Sequence, residues 1–109
     1  MKGANLGEFE EIVLLTVGLL YSEAYGLAIV DKMKFYAKRK VTLSAVYKVL
    51  LRLEEKGFLT SHVGGATKER GGRNKKLYTL TSYGKKAVNQ ARDVRNEMWT
   101  AIPDVVWKN

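Results

Sequence analysis

Thr42-Leu43-Ser44-Ala45-Val46-Tyr47-Lys48-Val49-Leu50-Leu51-Arg52-Leu53-Glu54-Glu55-Lys56-Gly57 is the stretch on which the fold turns. Thr42 offers an N-cap hydroxyl to a helix of about Leu43 to Lys56. Val46, Leu50 and Leu53, with Val49 beside them, recur at three- and four-residue spacing and make its buried stripe. Gly57 is placed to take the left-handed conformation that closes such a helix. Off the stripe stand Ser44, Ala45, Tyr47, Lys48, Leu51, Arg52 and Glu55.

Toward the N-terminus two more helices are expected. The first spans about Glu8 to Leu20, with Phe9, Ile12, Val13, Thr16, Val17 and Leu20 in helical register and an acidic first turn suited to the helix dipole. Leu14, Leu15 and Leu19 make its second half apolar nearly all round, so both sides need cover, one of them from a second subunit. The second helix is expected from about Glu23 to Ala37, capped by Ser22, with Leu27, Val30 and Met33 inward and Ile29 alongside. Lys38-Arg39-Lys40 ends it with charge that complements the dipole.

Toward the C-terminus, Phe58 to Val63 and Lys76 to Leu80 read as two strands around a glycine-rich, charged hairpin tip of residues 64–75. Thr81 then caps a last helix of about Ser82 to Ala101, stopped by Pro103. Three helices, a hairpin and a helix spell a mainly α (α+β) winged helix-turn-helix. Residues 1–81 would form the DNA-binding part, 82–102 a dimerisation helix and 103–109 a tail, within one compact unit. The last helix carries a heptad seam of Ala87, Ala91, Val94, Met98 and Ala101, widened by Val88, Trp99 and Ile102. That seam fits either a dimer interface or cover for the chain's own core.

The 109 residues are 46% hydrophobic and 28% charged, enough for one modest core. A net charge of +8 points to an anionic partner, nucleic acid before an acidic membrane surface. Without cysteine there is no disulfide and no thiolate metal site, and His62 alone builds no metal or Ser/His/Asp centre. It reads as a structural or solvated side chain, and no cofactor or enzyme activity is expected. The apolar run Ile12 to Leu20 is too short to span a bilayer, which needs about 20 residues. It also follows three acids where a signal peptide would carry positive charge, so a cytoplasmic location without membrane association is expected.

Ten of the nineteen basic residues fall in two short stretches, 32–40 and 68–76. One precedes the third helix and the other is the hairpin tip, the places where a winged helix meets DNA backbone. The candidate DNA contacts are Ser44, Tyr47, Lys48 and Arg52 on the third helix, Lys40 before it, and Arg70, Arg73 and Lys75 in the wing. Other readings stay open at this level. Tyr47 suits half-buried packing, Arg52 suits a pair with Glu55 on its own helix, and Arg70 and Arg73 suit plain solvated charge. A winged-helix protein-interaction module without specific DNA binding is the alternative function.

Ala45 to Leu59 resembles the recognition helix of the PadR family of bacterial transcriptional regulators. Gly71-Gly72-Arg73-Asn74-Lys75-Lys76-Leu77-Tyr78-Thr79-Leu80-Thr81-Ser82-Tyr83-Gly84 resembles that family's wing and the entry to its last helix, and Ala24 to Ile29 its second-helix start. The likeness runs over about residues 6 to 100, and the single short last helix is similar to the small-type members. It implies a homodimer joined through the last helix, with Ala87, Ala91, Val94, Met98, Trp99 and Ile102 at the interface and each first helix against the other subunit. It also implies a double-stranded DNA operator with two half-sites and repression of nearby genes, often relieved by a small hydrophobic or phenolic ligand. Tyr47, Arg52 and Arg73 match the family's contact positions, whereas Lys48 stands where many members have proline or a small residue. Trp99 resembles the aromatic that stacks flat drugs in some small members, with Met98 lining the same space. For Trp107 in the tail, cover for the other subunit and disorder remain equally open.

Overall fold

A computed structural model describes residues 6–66 and 74–108. The chain forms α1 (Glu8–Leu20), a 3-10 turn (Tyr21–Glu23), α2 (Gly26–Tyr36), α3 (Leu43–Glu55), strands β1 (Leu59–Ala66) and β2 (Asn74–Leu80), α4 (Ser82–Ala101) and a short α5 (Asp104–Trp107). The architecture is therefore the expected one: mostly helical with a two-stranded antiparallel wing.

Local signals placed the elements well. Thr42 Oγ1 accepts from the Ala45 amide at 3.1 Å, and Thr81 Oγ1 accepts from the Gly84 amide at 3.0 Å. Gly57 has φ of 86°, and the Phe58 amide bonds back to the Leu53 carbonyl while that of Gly57 bonds to Glu54. This reciprocal pair is the left-handed helix stop that only glycine adopts without strain. Ile29, Met33, Val46, Leu50 and Leu53 are fully buried, and they meet Val13, Leu14 and Val17 of α1 in one core.

The second helix departs from expectation. It starts at Gly26, with Tyr25 as its N-cap, and Ser22 lies in the preceding 3-10 turn. Tyr21 takes φ of 55° as α1 ends, and the Ala24 carbonyl accepts from the Tyr78 amide at 2.9 Å. That bond to β2 holds the chain extended where helix propensity alone would wind it. Leu27 consequently faces solvent, 37% exposed, and Ala24 takes an inward place.

Both strands run longer than their apolar patterns. The register pairs Leu59 with Leu80 through Val63 with Lys76, then shifts before Ala66 pairs with Asn74. Leu59 and Tyr78 point into the core. Gly84 anchors the next helix: a Cβ there would lie 2.1 Å from the Phe58 carbonyl oxygen, so no larger residue fits. Phe58 stacks on Tyr83 at 4.8 Å, and the Thr81 hydroxyl donates to the Gly57 carbonyl at 2.6 Å. Wing and α4 thus spring from one locked corner. Pro103 does stop α4, but as N-cap of α5, which carries Trp107 back onto Trp99 with ring centroids 5.0 Å apart. Within the described residues the tail is therefore a helical turn packed on α4.

Candidate nucleic-acid interface

Burying Val46, Val49, Leu50 and Leu53 leaves a face of α3 turned outward. Ser44 and Lys48 are exposed on it, Tyr47 is half-buried with its ring against Gly26 at the start of α2, and Leu51 is exposed. These residues sit at positions i, i+3, i+4 and i+7, one stripe of a helix. With Leu43 they line a shallow depression of about 490 Å³. Its lining is mainly apolar, with the exposed Ser44 hydroxyl and Lys48 ammonium among it, a mixture able to meet base edges, thymine methyls and phosphate. Leu51 was passed over in sequence because leucine has no hydrogen bond to offer, yet it is part of this surface.

Arg52 lies on the flank of that stripe and pairs differently from its expected helix neighbour. Its Nε donates to Glu10 Oε2 at 3.1 Å, and Lys56 Nζ donates to the same oxygen at 3.0 Å. Glu10 Oε1 meanwhile accepts from the Gly7 amide at 3.0 Å. Burial opposes ionisation of Glu10, but the Gly7 amide, Lys56 and Arg52 outweigh it and hold the carboxyl below the ordinary glutamate range. Neighbouring acids of α1 reach other elements: Glu8 binds Arg39 at 2.7 Å and Glu11 binds Arg95 of α4 at 2.8 Å. An acidic first turn reads from sequence as dipole compensation alone, so these long-range roles gave no signal.

The cationic stretch before α3 is exposed at Lys34, Lys38 and Lys40, while Arg39 is partly covered by its pair with Glu8. Lys32 and Lys38 lie within 6 Å of the Phe35 ring, which meets Tyr36 edge-on at 4.9 Å. In the wing, Lys75 is no free cation. Its amine sits 4.5 Å from the Tyr25 ring centroid and 3.2 Å from Glu23, with the side chain only 14% exposed, so it braces β2 against the 3-10 turn. Lys76 approaches Glu54 of α3 at 3.8 Å, and Ser61 donates to the same carboxylate at 2.7 Å, which fixes the wing to the third helix. Arg70 and Arg73 lie outside the described residues. His62 is exposed, and among the described residues no cluster of His, Cys, Asp or Glu could hold a metal ion.

On α4 the apolar seam divides in two. Ala87 is packed into its own chain's core, and Val88 and Ala91 are half-buried. Beyond them Val94, Met98 and Trp99 stand 52%, 66% and 64% exposed, while Ile102 is half-buried. Leu15 and Leu19 of α1 are likewise uncovered. No described helix is long and apolar enough to cross a membrane.

The model of the transcriptional regulator PadR-like family matches residues 14–90. Among solved structures, the chain is similar to a PadR-like transcription factor from Bacteroides fragilis, at 27% identity over 83% of this chain and 82% of that one, with a TM-score of 0.67. It is also similar to RosR of H. salinarum, at 26% identity over 92% and 83% of the two chains, TM-score 0.71. A PadR-like regulator from Bacillus cereus shares the fold at 17% identity, covering 93% of each chain with a TM-score of 0.73. Among curated proteins none matches.

Proposed function

The chain belongs to the PadR-like family of transcriptional regulators, not of enzymes, and we propose on that premise that it is a homodimeric, sequence-specific DNA-binding repressor of the cytoplasm. The observation that carries this reading is the outward stripe of α3, where Ser44, Tyr47, Lys48 and Leu51 stand together beside Arg52. An α-helix fits the major groove, where hydroxyls and cations read or position and apolar groups meet thymine methyls. Lys40, at the N-terminal approach to that helix, and the wing cations Arg70 and Arg73 then take phosphates of the same half-site.

Dimerisation is supported by the uncovered apolar surface of Val94, Met98 and Trp99 on α4 and of Leu15 and Leu19 on α1. A second copy related by a two-fold axis would bury both patches and set two α3 helices on successive turns of duplex, roughly 34 Å apart. Ala91 and Ile102 are half-buried beside that patch, whereas Ala87, expected at the interface, is packed into the core of its own chain. A flat hydrophobic ligand on Met98 and Trp99 would relieve repression; Trp107 already covers one face of the Trp99 ring, so such a ligand takes the other face or displaces it.

Selection of bound duplexes from a random pool at physiological salt, with light scattering of the free protein, tests the whole reading. A paired, symmetric motif and a dimeric mass are expected. A monomer that enriches no sequence would end it.

A further inference from the structure

Glu10 is a buried carboxylate, 8% exposed, that the DNA-binding reading leaves without a role. As a helix-capping group it needs only one oxygen, and Oε1 serves the Gly7 amide. Oε2 is turned the other way, onto Arg52 Nε and Lys56 Nζ. Arg52 stands on the outer flank of α3 and Lys56 at its C-cap, each about half exposed, whereas the carboxylate side chain is 11% exposed. The contact is made at Nε, so the guanidinium plane is held while its two terminal nitrogens keep their donors; no described residue accepts a hydrogen bond from them. A fork held in that way is oriented before it meets a partner, and bidentate acceptors such as guanine or phosphate are what a fork recognises.

Resting on the proposed DNA binding, we infer that Glu10 is a positioning residue for sequence discrimination. It orients Arg52 and offsets the charge of Arg52 and Lys56, so that tight binding requires the right bases and not merely a polyanion. The contrast within the same helix turn supports a special role. Glu8 makes its pair with Arg39 on the surface, where its side chain is 68% exposed, and such a pair orients little. Glu10 alone among the three acids of that turn reaches α3.

The test uses the full chain and two duplexes, one selected from the random pool and one scrambled. Glu10→Gln keeps the shape and removes the charge. It should bind the scrambled duplex more tightly, with a salt slope steeper by about one. Its ratio of selected to scrambled affinity should fall about tenfold. Glu8→Gln, which removes an equal charge nearby, should leave the ratio unchanged. In an Arg52→Gln background, adding Glu10→Gln should lower the ratio no further.

An unchanged ratio in a folded Glu10→Gln protein overturns the inference, as does a loss that persists in full in the Arg52→Gln background. A lowered melting temperature with the ratio intact would mean that Glu10 only stabilises, which also overturns it. If Glu10→Gln fails to fold, Glu10→Asp keeps the charge but cannot span both contacts; its ratio should fall with the salt slope unchanged, and a normal ratio overturns the proposal. A wild-type protein without preference between the duplexes defeats the DNA-binding reading itself, a result separate from any of these.

Discussion

Helices α3 and α4 are both amphipathic with clear apolar stripes, and they meet opposite fates. The stripe of α3 is satisfied within its own chain: Val46, Leu50 and Leu53 are fully buried. That of α4 is covered only at its N-terminal end, and from Val94 onward it lies open. Helical periodicity says that a face must be buried and is silent about what buries it. Where the core of one domain is filled, a continuing stripe marks a surface for another body.

Leu50→Ala should break the α3 side of this contrast most severely. Removing a fully buried leucine should cost about 2–5 kcal/mol, seen as a lower denaturant midpoint at every protein concentration. Val94→Glu should act on the other side. Association should weaken about a hundredfold in sedimentation equilibrium, roughly 2.7 kcal/mol, while the stability of dilute protein stays near wild type. A Val94→Glu protein as dimeric as the wild type would mean that the open seam of α4 is not the interface.

The pH response sharpens the hold on α3. Glu10 is held below its ordinary value near 4.5 in the folded chain, so it binds fewer protons folded than unfolded. Its contribution is present above that ordinary value and is lost as pH falls through the lower folded value. Wild-type stability should therefore drop more steeply below about pH 4.5 than that of Glu10→Gln in urea titrations. Equal acid slopes would contradict the ion-pair cluster. The smallest effect is expected on the tail. Trp107→Ala should remove a stack worth about 0.5–1.5 kcal/mol, seen as altered tryptophan fluorescence and a small fall in the unfolding midpoint.

Much of the fold was legible in order and bounds because the signals were local. Thr42, Thr81 and Gly57 each act on backbone groups within four residues, and the three- and four-residue apolar rhythm marks α1, α3 and α4. The errors came where distant chain intervened. Ser22 lost its capping role because the Ala24 carbonyl is claimed by Tyr78 across the sheet. The amine of Lys75, expected to face DNA from the wing, lies beside Glu23 and Tyr25, neighbours that only the folded chain brings to it. Subtracting the buried stripe points to Ser44, Tyr47 and Lys48 on the outward face of α3, and the structure sets them in one depression with Leu51, whose apolar side chain gives no such signal in sequence.

The amino-acid order by itself determined the helix-helix-helix-hairpin-helix succession, the buried stripe of α3 and the basic balance of the chain, since caps, periodicity and charge are properties of near neighbours. Tertiary structure alone decided which carboxylate each cation would meet. Along the chain Arg52 has Glu55 within reach, but folding brings Glu10 from 42 residues away to its Nε. Electrostatic pairing follows distance in space, and that distance exists only once the core has closed.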